Sequence, residues 1–230
     1  MKTIKDVTTE ASETPRVPRD KRANQRDLAA ERTRAEILQI AVDEFASHGY
    51  TGARVDAIAE RMRTSKGMIY YYFTNKEGLY TAVLEHVYSL IRDAEEATRI
   101  DLDTPAEDLL RAYIENTFEF HERNLVFSRI ISIENIHNAD FLKRSPTIKA
   151  TNRPVLDTLK NILERGVEAG TFRGDVTPVE LHYLISALCI YRVSNRQTFG
   201  TLFDVDFASK KTRARQKTIA VEAVMKLLAL

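Results

Sequence analysis

The chain has 230 residues, of which 43% are hydrophobic and 29% charged, with a formal net charge of +1. This composition is typical of a soluble globular protein with room for one large or two modest domains. No apolar run reaches the roughly 18 residues of a membrane-spanning helix, and residues 1–22 lack the apolar segment of a secretory signal. The single cysteine, Cys189, excludes an intramolecular disulfide and lies in an apolar segment, so we expect a cytoplasmic protein with a buried, inert thiol.

The residue types that enzymes and metalloproteins need do not cluster in this sequence. Its five histidines are scattered along the chain, and no pair with neighbouring acids supplies the three protein ligands of a metal site. Phosphate-binding glycine loops and the G-x-S-x-G nucleophile motif are also absent. The sequence therefore predicts no catalytic residue, no metal site and no cofactor.

A helix is predicted over Asp27–Ser47, followed by a glycine, Gly49, that is typical of a helix end. Its apolar residues recur at helical spacing and predict one buried face. These residues are Ile37, Leu38, Ala41, Val42 and Phe45.

The next two predicted helices are short and lie close together. Residues 55–62 carry apolar side chains at helical spacing, and a second helix is predicted over Lys66–Tyr72, capped by Thr64 or Ser65. A helix this short is not stable alone, so Ile69 and Phe73 are expected to anchor it. Two helices joined by a turn of three or four residues match the helix-turn-helix of DNA-binding proteins.

The second of these helices has the chemistry of a DNA reader. Its N-terminus attracts phosphate, and Lys66 and Lys76 flank it. At least one of the three consecutive tyrosines at 70–72 must point outward, and Gly67 allows the backbone to approach another surface closely. The alternative is a small helical bundle with a solvated tyrosine.

The stretch TSKGMIYYYFTNKEGLY, preceded by RTRAEILQIAVDEFASHGY and VDAIAERM, resembles the tetracycline-repressor (TetR) family of transcriptional regulators over residues 30–80. The resemblance implies an all-α fold, a homodimer, an operator in double-stranded DNA and a small-molecule effector. It also implies that Thr33 and Arg34 touch the DNA backbone. The predicted DNA-binding residues are Thr33, Arg34, Arg54, Thr64, Ser65, Lys66, Gly67, Met68, Tyr70, Tyr71 and Lys76.

Two positions depart from the family pattern. Arg63 stands in a turn that usually contains glycine, and we expect it to strain the backbone. Arg54 stands where the family usually has a Ser or Thr cap, so the first helix of the pair is expected to lack one, with Arg54 instead donating to a phosphate.

Three regions are predicted: a flexible basic arm over residues 1–24, a DNA-binding domain over 25–75, and a ligand-binding and dimerisation domain over 76–230. Between Arg16 and Arg34 there are seven Lys or Arg against three acids, so the arm either tracks phosphates or is a solvated tail. The last region is predicted to be helical throughout, without strands. Its expected helices span 74–98, 104–123, 125–138, 145–169 (with Pro154 as a kink or a new start), 177–199 and 211–230.

Two helices of this region have broad apolar faces that predict association with a second copy across a two-fold axis. The alternative is that both faces belong to the core of the protomer. The residues predicted at the dimer interface are Leu181, Leu184, Leu188, Tyr191, Ile219, Ala223, Val224 and Leu227.

Polar atoms within apolar helices, a composition typical of a ligand pocket, give a second candidate set. Each residue has a simpler alternative as a core residue with a satisfied hydrogen bond. The set comprises Tyr113, Asn116, Phe120, Phe127, Ile130, Ile131, Glu134, Tyr183, Ala187 and Tyr191.

These expectations together predict a homodimeric regulator, most simply a repressor that a small molecule releases from a palindromic operator. The alternatives are a ligand-dependent activator and a helical adaptor protein without specific DNA binding. No membrane partner is expected.

Overall fold

A computed structural model describes residues 21–96 and 103–230 of the chain; the prediction of a flexible arm therefore falls largely outside the described residues. The described part contains no strand, although an isolated bridge joins Phe172 to Ala229. The prediction of an all-α fold is confirmed. None of the described helices combines the length and hydrophobicity that crossing a membrane requires.

Twelve helices occupy the described residues. The first four are α1 (Lys21–Gly52), α2 (Val55–Met62), α3 (Lys66–Phe73) and α4 (Lys76–Glu96). They are followed by α5 (Ala106–Arg123), α6 (Leu125–Ile136), α7 (Asp140–Arg144), α8 (Pro146–Asn152), α9 (Pro154–Glu168), α10 (Pro178–Ser194), α11 (Arg196–Phe203) and α12 (Lys210–Leu228). The part of α1 before Glu36 forms one compact unit, and Glu36–Leu230 forms the other.

The regular part of α1 ends where the sequence predicts. Gly49 has φ 69° and ψ 176°, a conformation that interrupts the helix and that glycine adopts without steric cost. A short turn then continues to Gly52, with the N–H of Ala53 donating to Gly49 O at 3.1 Å. This interruption redirects the chain into α2.

Two buried clusters form the core of the second unit. The first joins the buried faces of α1–α4 to α6, α7 and α8, and the second joins α5, α9, α10 and α12. Aromatic rings link the start of α4 to α1 in the first cluster: Tyr80 lies 4.8 Å from Phe45 and 5.1 Å from Tyr50, measured between ring centroids. The apolar core therefore continues across position 75. The predicted division at this position into a DNA-binding domain and a ligand-binding domain stays a prediction about function.

The pattern Thr-x-x-Glu predicts a capping box at three helix starts, at Thr74, Thr104 and Thr177, and only one of the three boxes forms. Thr177 and Glu180 form the predicted capping box of α10, with the Thr177 N–H donating to Glu180 Oε2 at 2.8 Å. The box predicted for Thr74 and Glu77 is wrong: Thr74 ends α3 with φ 67°, and Asn75 Oδ1 instead accepts from the Gly78 N–H at 2.8 Å.

The predicted Thr104 cap of α5 is also wrong, because Pro105 occupies the N-cap position and makes no side-chain cap. One further boundary differs from the prediction: the helix expected to reach Phe199 breaks at Asn195, after which α11 begins. At Pro154 the structure confirms the alternative of a new start, because α8 ends at Asn152 and α9 begins at Pro154.

Candidate nucleic-acid interface and regulatory domain

Helix α3 is fixed by one cap and two buried anchors. Ser65 is its N-cap, and the Ser65 hydroxyl oxygen accepts from the Met68 N–H at 3.2 Å. Ile69 and Phe73 are 0% and 4% exposed and insert into the first core cluster. The predicted anchors are confirmed, and the hydroxyl of Ser65 has a structural use that competes with its predicted DNA contact.

The opposite side of α3 is open to solvent. Tyr71 is 80% exposed and Met68 is 44% exposed, whereas Tyr70 and Tyr72 are half-buried against the first core cluster. Gly67, which lies four positions before Tyr71, is on this same face because residues four apart are neighbours on a helix. The three tyrosines therefore divide between packing and exposure, as their consecutive spacing requires.

Nothing inside the protomer requires a glycine at position 67. A Cβ added there would meet only Ser65 Oγ, at an ordinary 3.7 Å. Glycine in a helix costs roughly 1 kcal/mol relative to alanine. The residue is therefore better explained by a surface that approaches α3 from outside.

Two lysines flank α3 and differ in their surroundings. The ammonium of Lys66 is 3.1 Å from Asp56 Oδ2, and both side chains are about half exposed. The ammonium of Lys76 donates to Thr51 O at 3.3 Å and lies 5.0 Å from the centre of the Tyr50 ring. Burial lowers the pKa of Lys76, and the residue links α4 to the end of α1. Its predicted DNA contact competes with these internal contacts.

The start of α2 is capped from another helix. Arg54 is the N-cap residue and makes no side-chain cap, as predicted, but its backbone N–H donates to Glu44 Oε1 at 3.0 Å. Glu44 is 8% exposed. Sequence reasoning missed this residue, although an acid beside Phe45 on an apolar helix was a signal. The Arg54 side chain is exposed.

The turn between α2 and α3 contains the predicted strain. Arg63 has φ 53° and ψ 41°, the left-handed conformation that favours glycine. Thr64 follows it and is half-buried.

Thr33 and Arg34 belong to the unit formed by the part of α1 before Glu36. The Thr33 hydroxyl donates to Ala29 O at 3.0 Å, and the Arg34 side chain is exposed. Contact of either residue with DNA stays a prediction.

The ten residues predicted to line a ligand pocket do not share one cavity. Phe120, Phe127, Ile130 and Glu134 are buried in the region of the first core cluster, with Ile131 packed against it, and Tyr113 is buried in the second. The Asn116 side chain is exposed on α5. Tyr183, Ala187 and Tyr191 lie on the exposed side of α10, and the last two line a separate cavity of about 370 Å³ beside α11 and α12.

Buried polar groups mark the interior among α4, α5 and α6. The Tyr80 hydroxyl, Glu134 Oε1 and His121 Nδ1 are buried without a hydrogen bond of good geometry among the described residues, although burial and the nearby Glu134 carboxylate raise the pKa of Tyr80. Unpaired buried polar atoms are costly, and they are often explained by a missing ligand or water. Of these three residues, the sequence prediction included only Glu134.

The pKa values of this interior show how strongly its groups interact. Burial and the positive charges of Arg192 and Arg92 lower the pKa of His121 to about 4. Burial, together with the Glu134 carboxylate, raises the pKa of Tyr88 to about 12. Aromatic rings line the same place: the Phe127 ring centroid is 5.6 Å from that of Tyr88 and 5.2 Å from that of His121. The interior therefore combines aromatic surface with groups of opposite charge.

Two of the eight residues predicted at the dimer interface lie in the core of the protomer. Leu181 and Val224 are 0% exposed and belong to the core of the protomer, so they are not available to a partner. Leu184 and Leu188 are half-buried. The exposed apolar stripes consist of Val179, Tyr183, Ala187 and Tyr191 on α10 and of Ile219, Ala223 and Leu227 on α12.

The reason is that α10 has apolar stripes on two opposite sides. Its core stripe contains Leu181, Ile185, Cys189 and Val193, at a spacing of four residues. The exposed stripe has the same spacing but is displaced by two residues, about 200° around a helix. Hydrophobic periodicity alone cannot say which of two such stripes faces the core. Cys189 is 0% exposed, and burial raises its pKa to about 12, which fits the predicted inert thiol.

Comparison with known proteins identifies both halves of the chain. Residues 37–83 match the model of bacterial regulatory proteins of the tetR family, and residues 105–224 match that of the tetracyclin repressor-like C-terminal domain.

The chain is 35% identical over 185 residues to the HTH-type transcriptional repressor NicS of Pseudomonas putida, covering 80% of this chain and 87% of that protein. It is 31% identical over 157 residues to the HTH-type transcriptional activator FasR of Mycolicibacterium smegmatis, covering 67% of this chain and 65% of that protein. The crystal structure of a putative transcriptional regulator, SCO4942 from Streptomyces coelicolor, superposes with a TM-score of 0.64 at 30% identity, covering 85% of this chain and 98% of that one.

Since the helix-turn-helix of α2 and α3 lies within the first match and the helices from α5 through most of α12 lie within the second, the chain belongs to the tetR family of DNA-binding transcriptional regulators.

Proposed function

We propose that this protein is a homodimeric repressor that holds a palindromic operator through α3 and is released from it by a small molecule. The proposal rests on the exposed face of α3, where Gly67, Met68 and Tyr71 are not needed for packing. Repression is favoured by the name of the similar protein NicS.

In the proposed complex, α3 enters the major groove with its exposed face. Met68 and Tyr71 meet base edges or the sugar-phosphate backbone, and Gly67 brings the helix backbone close to the groove. Lys66 exchanges its partner Asp56 for a phosphate. Two copies related by a two-fold axis present two such helices about 34–36 Å apart, which matches successive major grooves on one face of the duplex.

The effector is proposed to bind in the polar interior near Glu134, Tyr80 and His121, whose buried atoms lack partners. Tyr80 connects this interior to the DNA-binding domain of α1–α3 (below, the head), because its ring packs on Phe45 and Tyr50 at the end of α1. A ligand that contacts Glu134 and Tyr80 in only one position of the head binds that position more tightly and so increases its population. DNA is released if, in that position, the distance between the two α3 helices no longer matches the distance between successive major grooves.

Selection of binding sites from a random DNA pool tests the DNA part of the proposal. We expect an enriched palindrome whose protection in a footprint is lost with Met68→Ala/Tyr71→Ala. The same change at Ile136 and Leu202, two exposed positions remote from α3 in the sequence and outside the proposed dimer face, is the matched control. Failure to enrich any sequence supports an adaptor protein instead.

A promoter fusion distinguishes the two regulatory outcomes. Deleting the gene raises expression from the selected site if the protein represses, and lowers it if the protein activates, as the name of the similar FasR implies for that protein. A thermal-shift screen of small metabolites then tests the effector site: the shift caused by a true effector is lost in Glu134→Gln.

A further inference from the structure

A cleft lies where the end of α1 meets α6 and the junction between α10 and α11. Its volume is about 510 Å³. Ser47 lines it from α1, Ser128 and Arg129 from α6, Ser194 from α10 and Arg196 from α11. None of these residues belongs to the interior assigned above to the effector.

The lining of this cleft is polar and biased toward positive charge. Two guanidinium groups, those of Arg129 and Arg196, border it, and none of its lining residues is acidic. Four serines contribute the remaining hydroxyls, but two of them already donate within the protein. Ser132 donates to Ser128 O at 2.8 Å and Ser194 to Tyr191 O at 3.3 Å. The donors left for a ligand are therefore Ser47, Ser128, Gln197 and the two arginines.

Ser128 is the group that most clearly points to a missing partner. It is 1% exposed, and its hydroxyl oxygen is buried without a hydrogen-bond partner among the described residues. A buried hydroxyl without a partner costs about 1–3 kcal/mol. Ser128 is the fourth residue of α6, and its hydroxyl does not bond to the carbonyl one turn earlier, as helical serines can.

The positive charge of Arg196 is only weakly compensated. Its ion-pair partner is the Glu122 carboxylate, 3.8 Å from the Arg196 guanidinium. The same carboxylate is 2.7 Å from the Arg192 guanidinium and 3.7 Å from that of Arg213. One carboxylate thus faces three guanidinium groups, and the local excess of positive charge lies beside the cleft. An anion in the cleft gains both from this excess and from the hydroxyl of Ser128.

We propose that this cleft is a second regulatory site, which binds a small metabolite through a phosphate or carboxylate group held by Ser128, Arg129 and Arg196. The volume accepts a molecule larger than a bare ion. Ala46 and Ser47, near the end of α1, border the cleft together with α6, α10 and α11. A bound ligand therefore contacts both α1 and the helices of the regulatory domain and restrains their relative positions. The site goes beyond the proposed function, since it acts on a different surface from the effector.

Calorimetric titration of the full-length protein tests the proposal with three probes: inorganic phosphate, glycerol 3-phosphate and citrate, each matched for ionic strength with sodium chloride. We expect saturable binding of at least one probe at one per protomer. Tighter binding of glycerol 3-phosphate identifies a phosphate ester, and tighter binding of citrate identifies a carboxylate. No saturable binding of any of the three would overturn the proposal.

Variants separate this cleft from the effector interior. Ser128→Ala is expected to raise the Kd of the bound probe by about tenfold or more, since hydrogen bonds to charged groups are worth about 1.5–3 kcal/mol. Without the probe it leaves Tm unchanged or raises it, because it removes an unpaired buried hydroxyl. Arg129→Ala is expected to weaken binding of the probe. Arg111→Ala, at an exposed arginine outside the cleft, is expected to leave binding unchanged.

Two outcomes contradict the assignment even if a probe binds. Binding that survives Ser128→Ala and Arg129→Ala together places the anion elsewhere. Binding that is lost in Glu134→Gln but kept in Ser128→Ala places it in the interior proposed for the effector. In either case the repressor function is untouched, because DNA binding is measured separately.

Discussion

The ammonium of Lys66 lies 3.1 Å from Asp56 Oδ2, so the helix proposed to enter the DNA groove carries its own counter-ion from α2. Both side chains are about half exposed, and the pair is therefore worth little to folding. We expect a larger effect on DNA binding, since Asp56 occupies the ammonium that a phosphate would need and would repel the phosphate as well. The pair is therefore expected to weaken non-specific binding.

Replacing Asp56 with Asn is therefore expected to strengthen binding to all DNA sequences. If Lys66 gains one phosphate contact, the slope of log K against log salt steepens by about 0.9. Fluorescence anisotropy over a range of salt concentrations measures both quantities. Asp43→Asn is the matched control, because Asp43 pairs with Arg61 at the same 3.1 Å with similar exposure. Equal gains in both variants mean that only net charge changed.

Gly67→Ala separates folding from DNA binding. The added methyl meets nothing closer than 3.7 Å, so we expect stability to be kept or to rise by up to about 1 kcal/mol. Affinity for the operator is expected to fall about tenfold or more, because the methyl holds α3 away from the groove. Urea unfolding and a mobility shift measure the two effects. An alanine variant that binds its operator normally shows that α3 does not approach DNA closely at this residue.

Arg63→Gly tests the strain in the turn. Arg63 occupies the left-handed region at φ 53°, which costs a residue with a side chain roughly 1 kcal/mol more than glycine. Glycine also loses more entropy on folding, so we expect a net gain in the free energy of unfolding of roughly 0.5 kcal/mol. Asp204→Gly, at φ 51° and ψ 42°, provides a second case of the same conformation. A loss of stability in both variants contradicts the argument.

The sequence was sufficient where a single local pattern decides the structure. The Thr177 and Glu180 box, the anchors of α3 and the break at Gly49 each depend on residues close together in the chain. It failed where two local solutions compete, as between Thr74 and Asn75, which are both good caps. It also failed where the partner comes from another helix: Glu44 caps α2 from ten residues away, and no local pattern records this.

The buried polar groups among α4, α5 and α6 also could not be predicted from local sequence patterns. His121 and Tyr80 occur in apolar helical segments, where a core residue with a satisfied hydrogen bond is the simpler explanation. Only the packing shows that their polar atoms lack partners. The two stripes of α10 are not distinguished by periodicity, so the predicted interface included Leu181, which the structure places in the core of the protomer.

Tyr183→Glu is the direct test of the corrected dimer face. Tyr183 is 76% exposed in the protomer, so a glutamate there does not disturb the core. If the stripe meets a second copy, the new carboxylate is buried in the interface without a partner, which is costly. We expect sedimentation to show a shift from dimer to monomer and operator binding to weaken. Ile136→Glu is the control, because Ile136 is 75% exposed at the end of α6. A dimer that persists in Tyr183→Glu and Leu227→Glu together excludes this interface.

The buried neutral His121 predicts loss of stability in mild acid. Folding lowers its pKa from 6.5 to about 4, so between these values the unfolded chain binds a proton that the folded chain does not. Stability therefore falls as the pH drops through this window, by about 2 kcal/mol at pH 5 relative to neutral pH. His121→Phe removes the titrating group, and the difference in unfolding free energy between pH 7 and pH 5 is expected to shrink by that amount. His137→Phe, a half-buried histidine at the end of α6, is the control. An unchanged difference in His121→Phe means that the acid sensitivity has another source, with His182 the next residue to replace because its pKa is also lowered to about 4 by burial and Arg92.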